Sequence, residues 1–289
     1  MQIILTHFGS PLPIYLEDTF KQIRYFSNLP VYFLSDQEIP EFAAEYGVEW
    51  FNCRNMDKDY QALSKMGHPN NDFWCLTAKR LWYLADFTEQ FNLTDSIHFE
   101  NDVLIYVDPL NIKQSLKSTY ENIGITRGTA LDCMTGFMYL AKPNSLKLFT
   151  QFAEELLNDS KRLGEQGYEM LHEMALLGSY LKQNKPELCD LLPSLPFGPL
   201  SKNFDKVYWL FDPASWGQYK LGTHSNPTPG WMEHKHFIGH ELIKKTVAIE
   251  WHTIDGLKKP FVINTSNAGI YPLANLHVHS KLLYQGLSK

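Results

Sequence analysis

Apolar runs of strand length alternate with amphipathic runs of helix length along the first half of the chain, and this alternation most constrains the fold. QIILT (2–6) is a strand pattern, and IYLEDTFKQIRYF (14–26) carries helical periodicity. VYFLSD (31–36) reads as a second strand, EIPEFAAEYG (38–47) as a short helix closed by Gly47, and VEWFN (48–52) as a third strand. NDFWCLTAKRLWYLADFTEQF (71–91) is the longest helical pattern, and SIHFE, VLIYV, NIGIT (122–126) and TGFMYLA (135–141) follow as strands. Such alternation predicts the α/β class: a mostly parallel central sheet with helices on both faces, Rossmann-like in its first half.

Two more helices are expected over NSLKLFTQFAEELLND (144–159) and QGYEMLHEMALLGSYLKQ (166–183). The segment 193–231 is dense in Pro, Gly and aromatics, and reads as ordered chain with little regular structure, the kind of region that supplies lids and binding walls. No linker-like stretch interrupts the 289 residues, so a single domain over 1–289 is expected.

A net charge of −6 argues against a nucleic-acid partner, whose binding needs clustered Lys and Arg. Cys53, Cys75, Cys133 and Cys189 are scattered without a C-x-x-C pair, which suits buried thiols in a reducing compartment. The opening MQIILTHFGS has neither the basic nor the long apolar part of a signal peptide, and no run reaches the roughly 18 apolar residues of a membrane span. The expectation is a cytoplasmic protein without a membrane span.

One apolar stretch carries a chemical anomaly. In SIHFENDVLIYVD (96–108), followed by Pro109, the buried-type residues Ile97, Phe99, Val103, Leu104, Ile105 and Val107 are interrupted by Glu100-Asn101-Asp102. A buried ionised carboxylate is costly unless it is paired or bound to a metal. Ligands of open α/β sheets collect beyond the carboxyl ends of the strands, where this pair falls. On an extended strand, carboxylates at i and i+2 face the same way, so both can meet one cation. Hard oxygen donors suit Mg²⁺ or Mn²⁺ holding a diphosphate. A surface turn in which the Asp caps a backbone N–H is the plainer alternative.

FENDVLIYVDP resembles the D-x-D segment of metal-dependent, nucleotide-sugar glycosyltransferases of the GT-A fold, with Glu in place of the first Asp. ILTHFG and the helix after it resemble that fold's nucleotide-binding first βα unit. The long helix with Arg80 resembles the one that lends a basic residue to the donor site, and TGFMYLAKPNSLKLF the strand and helix that wall the acceptor side. NLHVHSK (275–281) resembles the late segment that supplies a metal-binding His and a phosphate-binding Lys, although it is not the H-x-x-G-x-x-K-P-W of the glycogenin-like family.

The resemblance implies a nucleotide-sugar half over 1–108 and an acceptor half with the C-terminal metal and phosphate segment over 109–289. It implies Asp102 as a direct metal ligand, Glu100 acting through the metal shell or the ribose, and His277 or His279 as the further ligand. His277 is favoured because it ends the apolar run. An imidazole ligand tips the ion towards Mn²⁺ over Mg²⁺, and Lys281 would neutralise a phosphate. The partners implied are a UDP- or GDP-sugar donor and a saccharide acceptor.

Other candidates rest on position. An inverting transfer wants a carboxylate base; Glu173 ranks first, on an otherwise apolar helical pattern, followed by Asp212 in WLFDPASWGQY, with Glu169 and Asp132 also available. His7 and Asp36, at the ends of the first two strands, are placed to touch base and ribose. Trp216, Tyr219 and Trp231 could stack on sugars or simply pack. A rival signal is MEHKHFIGHE (232–241), where His234, His236 and His240 would serve a zinc hydrolase, though without a recognisable zinc spacing. A sugar nucleotidyltransferase would want a Gly-rich, Arg-containing loop where THFGSPLP stands, and a glycoside hydrolase needs no metal. A non-catalytic sugar-binding module accounts for the aromatics and not for the carboxylates.

Overall fold

The computed structural model describes residues 1–9, 11–54, 61–66, 73–167, 170–183, 185–230 and 235–289, without the side chains of residues 61 and 62. Its strands are β1 (Gln2–His7), β2 (Val31–Ser35), β3 (Val48–Asn52), β4 (Ser96–Phe99), β5 (Val103–Ile105), β6 (Ile123–Arg127), β7 (Cys133–Leu140), β8 (Cys189–Leu191), β9 (Val247–Ile254), β10 (Leu257–Asn264), β11 (Gly269–Pro272) and β12 (Asn275–His277).

Seven of them form a central sheet in the order β3-β2-β1-β4-β7-β6-β8. The pairs β1–β2, β2–β3, β1–β4 and β6–β8 are parallel, and only β7 runs against its neighbours. The strands are continuous apolar runs because both faces are covered. Ile4 and Leu34 pack with the helices Phe73–Gln90, Ser145–Asn158 and Glu173–Leu181 on one side. Ile3, Leu5, Val31 and Phe33 pack with the helices Leu16–Phe26 and Pro109–Thr119 on the other. This is the expected mostly parallel α/β sheet. Among the described residues, no helix is long and apolar enough to cross a membrane.

The helix expected over 166–183 spans only Glu173–Leu181, after a separate helix Ser160–Glu165; residues 168 and 169 lie outside the described ones. The Pro/Gly/aromatic region 193–230 holds only short helical turns, at Pro199–Ser201, Phe204–Val207 and Trp216–Leu221. After the helix Phe237–Ile243, β9, β10 and β11 form an antiparallel sheet that the sequence reading did not anticipate. Its tight turn has Asp255 at φ +54 and Gly256 at φ +74, the left-handed pair favoured by Asp-Gly hairpins.

Two features place the site. The first is that Glu100–Asp102 is a turn rather than extended strand, with the Val103 N–H donating to the Glu100 carbonyl at 3.0 Å. The second is the return of the tail: β12 pairs antiparallel with β5, in a register that sets His277 opposite Val103, the residue after the acidic turn. The buried Leu104 and Leu276 sit side by side in that pairing and anchor it to a third apolar cluster.

Candidate active site

A cavity of about 820 Å³ opens at the carboxyl ends of β1 and β4. Its lining draws on both halves of the chain, from Thr6–Gly9 at the end of β1 to His277, His279 and Lys281 in the tail.

At its floor, the acidic turn meets the tail. The His277 Nε2 lies 3.0 Å from the Asp102 Oδ2 and 3.4 Å from the Glu100 Oε2. The Lys281 ammonium donates to the same Asp102 oxygen. Gly136 on β7 makes room for this ring, since a Cβ there would stand 2.6 Å from the His277 Nδ1. The turn conformation thus does what extended strand was expected to do: both carboxylates face one point.

The other oxygen of Glu100 is held from the opposite side. Its Oε1 accepts from the Arg80 Nη2 at 2.6 Å and from the Thr135 hydroxyl at 2.6 Å. Arg80 also reaches the Glu173 Oε1 at 3.2 Å, and the Thr77 hydroxyl donates to the Glu173 Oε2 at 3.0 Å. Thr77 and Arg80 stand three residues apart on the helix Phe73–Gln90, so they share one of its faces.

Burial and neighbouring charge both act on these groups. Burial alone would raise the Glu100 pKa, but the Arg80 guanidinium and the His277 ring hold it down at about 2. Asp102 is held well below the usual carboxylate range in the same way, by His277 and Lys281 against burial. Burial would lower the pKa of His277, and the Asp102 charge and hydrogen bond raise it instead. His279 is pushed down to about 3, first by burial and then by His277, so it is neutral.

The donor set fits a divalent ion. Glu100, Asp102 and His277 each offer one ligand atom, these atoms lie within 4.8 Å of one another, and no other such group occurs among the described residues. Two carboxylate oxygens and one imidazole nitrogen are donors that a divalent metal ion accepts. His279 stands apart from the cluster. Its ring centroid is 4.3 Å from that of His277, and its Nε2 is held by the Gln218 amide at 3.3 Å.

The remaining predicted residues scatter. His7 lines the cavity, where its Nε2–H donates to the Pro11 carbonyl at 3.1 Å and its Nδ1 accepts from the Asn101 amide at 3.2 Å. Asp36 does not line the cavity; it accepts the Gly9 N–H, at 3.0 Å to its Oδ2, and braces the loop after β1. Glu173 does line it, at the start of its helix and only 2% exposed. Asp212 is 0% exposed and its carboxylate faces backbone N–H groups below the cavity. Burial pushes its carboxyl up, against the pull of the His277, Ser215 and Gly217 N–H groups.

Trp216 is fully buried, Tyr219 is half-buried against the same apolar cluster, and neither lines the cavity. Trp231 and His234 lie outside the described residues, as does Glu169. The described histidines of the rival cluster do not converge: the buried His236 shares a 3.0 Å hydrogen bond with the Ser215 hydroxyl, while His240 is exposed beside Glu241.

Several cavity residues escaped the sequence reading. Thr77 and Thr135 fix the acidic pairs. Phe73, Trp74, Met170 and His172 form an apolar and aromatic wall, with the rings of Trp74 and His172 5.1 Å apart. Phe73 and Met170, 55% and 37% exposed, leave apolar surface open at the cavity. The available signal was helical spacing: Phe73, Thr77 and Arg80 fall at i, i+4 and i+7.

No protein-family profile matches the chain, and no curated protein matches it in sequence. Among solved structures it is similar to mouse xyloside xylosyltransferase 1 in its apo form, with TM-score 0.48 and 12% identity over 72% of this chain and 93% of that one. It is also similar to the glycosyltransferase GlyE of Streptococcus pneumoniae TIGR4, with TM-score 0.40 and 14% identity over 66% of this chain and 45% of that one. A third is the PaToxG glycosyltransferase, with TM-score 0.37 and 12% identity over 64% of this chain and 69% of that one.

Proposed function

We propose that the chain is a metal-dependent glycosyltransferase of GT-A type that moves a sugar from a UDP- or GDP-sugar to a saccharide acceptor. The observation that carries this reading is the meeting of Glu100, Asp102 and His277, the last two 175 residues apart in the sequence, at the floor of a cavity beyond the parallel strands.

Glu100, Asp102 and His277 would hold the ion, Mn²⁺ before Mg²⁺; when bound, it stabilises the negative charge that builds on a departing diphosphate. Lys281 adds a compact positive charge beside the same carboxylate, placed for a phosphate. Arg80 and Thr135 fix the Glu100 carboxylate on the side away from His277, so its free oxygen points into the cluster. His7 and Asn101 border the same cavity at the end of β1, a position for the nucleoside.

On the acceptor side, Glu173 and Asp132 both line the cavity, and Glu173, paired with Arg80, is the residue assigned to take the acceptor hydroxyl's proton. Its pairing with Arg80 links it to Glu100 through one guanidinium. Phe73, Trp74 and Met170 offer the apolar surface on which a sugar ring's C–H face rests.

Thermal melting with a panel of nucleotide sugars, with Mn²⁺ and again with chelator, tests the reading. One nucleotide class stabilises the protein with Mn²⁺, by several degrees at saturating ligand, and chelator abolishes the effect. Equal response to all nucleotides, or none, overturns the assignment and favours a plain sugar-binding module.

A further inference from the structure

We propose that Asp212 is a positioning residue: from beneath the cavity it fixes where the His277 imidazole stands, and so sets the affinity of the cation site. The inference rests on the reading of Glu100, Asp102 and His277 as metal ligands, and deepens it.

The geometry is that of a hub. The Asp212 Oδ1 accepts the N–H groups of Ser215 at 2.6 Å and Trp216 at 2.8 Å. Its Oδ2 accepts the Gly217 N–H at 2.8 Å and the His277 N–H at 2.9 Å. In the other direction, the Asp212 N–H donates to the Asn275 side-chain oxygen at 3.2 Å. One buried carboxylate therefore joins the segment 212–217 to β12 at the residue that carries the imidazole.

The contact is close enough to transmit small displacements. A Cβ at Gly217 would stand 2.1 Å from the His277 carbonyl oxygen, so the two backbones touch with no side chain between them. Gly136 limits the imidazole from the sheet side, at 2.6 Å from a Cβ position to the Nδ1. Gly217 thus abuts the His277 backbone and Gly136 abuts its ring. The short helix opened by Trp216 also carries Gln218, whose amide holds the His279 Nε2. Both tail histidines thus take their position from segments that Asp212 ties together.

Only a carboxylate satisfies four N–H donors at once with two oxygens. An Asn at 212 keeps one oxygen and turns an NH₂ towards the other two donors, so either the His277 and Gly217 N–H groups or those of Ser215 and Trp216 lose their acceptor. Metal ligands depend on such outer contacts, and losing one costs about 10–100-fold in metal affinity.

Mn²⁺ binding, measured by titration calorimetry or by the EPR signal of free Mn²⁺ in the presence of UDP or GDP, tests this without reference to turnover. Asp212→Asn is compared with wild type, with Asp212→Glu, and with Phe149→Leu, a core substitution in the helix Ser145–Asn158 that lowers melting temperature away from the site. The expected result is a loss of Mn²⁺ affinity of about 10-fold or more in Asp212→Asn, a smaller loss in Asp212→Glu, which keeps the charge, and none in Phe149→Leu. If Asp212→Asn does not fold, Asp212→Glu decides. Wild-type affinity in the folded Asp212 variants, or an equal loss in Phe149→Leu, overturns the proposal while leaving the ligand assignment standing. Failure of the wild type itself to bind Mn²⁺ removes the ligand assignment and this inference together.

Discussion

Asp102 and Asp212 are two buried aspartates that solve the same problem in different ways. Asp102 sits on the turn between β4 and β5, and its Oδ2 is met by side chains, the His277 imidazole and the Lys281 ammonium. Asp212 sits below the cavity and is faced by backbone N–H dipoles alone. A carboxylate met by side chains at a cavity can take an ion or a phosphate beside them. One compensated by four backbone donors cannot let go without opening the structure. The first arrangement suits chemistry, and the second suits architecture. His277 belongs to both, since its ring faces Asp102 and its backbone N–H faces Asp212.

The largest effect should come from the chemical aspartate. Asp102→Asn is close in shape but removes the charge on which His277 and Lys281 converge. We expect transfer activity to fall by on the order of 10³-fold, with Mn²⁺ binding lost and the far-UV circular dichroism unchanged. Retention of activity in Asp102→Asn would break the comparison at its root, because the residue would then be only another buried turn aspartate.

Lys281 sharpens the contrast by separating the ion from the phosphate. The assigned role of Lys281 is a positive charge for the donor, and its backbone takes the left-handed conformation, φ +61, that brings the side chain back over Asp102. Lys281→Met should raise the KM for the nucleotide sugar by about 10-fold, the scale of one lost charge-assisted hydrogen bond. The same variant should bind Mn²⁺ no more weakly than wild type. Weaker Mn²⁺ binding would make Lys281 a support for the metal site and not a donor contact.

The contrast also explains what sequence reasoning could and could not see. Apolar strand runs are legible because burial on both faces leaves no alternation, and the acidic turn is legible because it breaks such a run. The ending of the apolar NL run at His277 singles that residue out from His279 in the same way. The hub at Asp212 was invisible: an Asp-Pro in an aromatic, Gly-rich segment reads as a turn, and no local pattern announces donors from residue 277. For Trp216 and Tyr219 the sequence allowed either stacking on sugars or simple packing, and Trp216, 0% exposed, packs. The β9–β10 hairpin carried its own signal in Asp255-Gly256, which only counts once the flanking runs are read as strands.

The smallest expected effect tests the part of the cavity that touches neither aspartate. Seven residues of helix separate Phe73 from Arg80, about 10 Å of rise, so Phe73 stands at the far end of the aromatic wall from the Arg80–Glu100 pair. Phe73 is 55% exposed, which makes it dispensable for the core. Phe73→Ala should therefore shift the unfolding free energy by no more than about 0.5 kcal/mol. It should raise the acceptor KM by roughly 3–10-fold, the scale of one aromatic contact, with the nucleotide-sugar KM and Mn²⁺ affinity unchanged. Steady-state kinetics with each substrate varied in turn separates these terms. An equal rise in both KM values would show that the wall belongs to the donor side, and would leave the acceptor without an assigned surface.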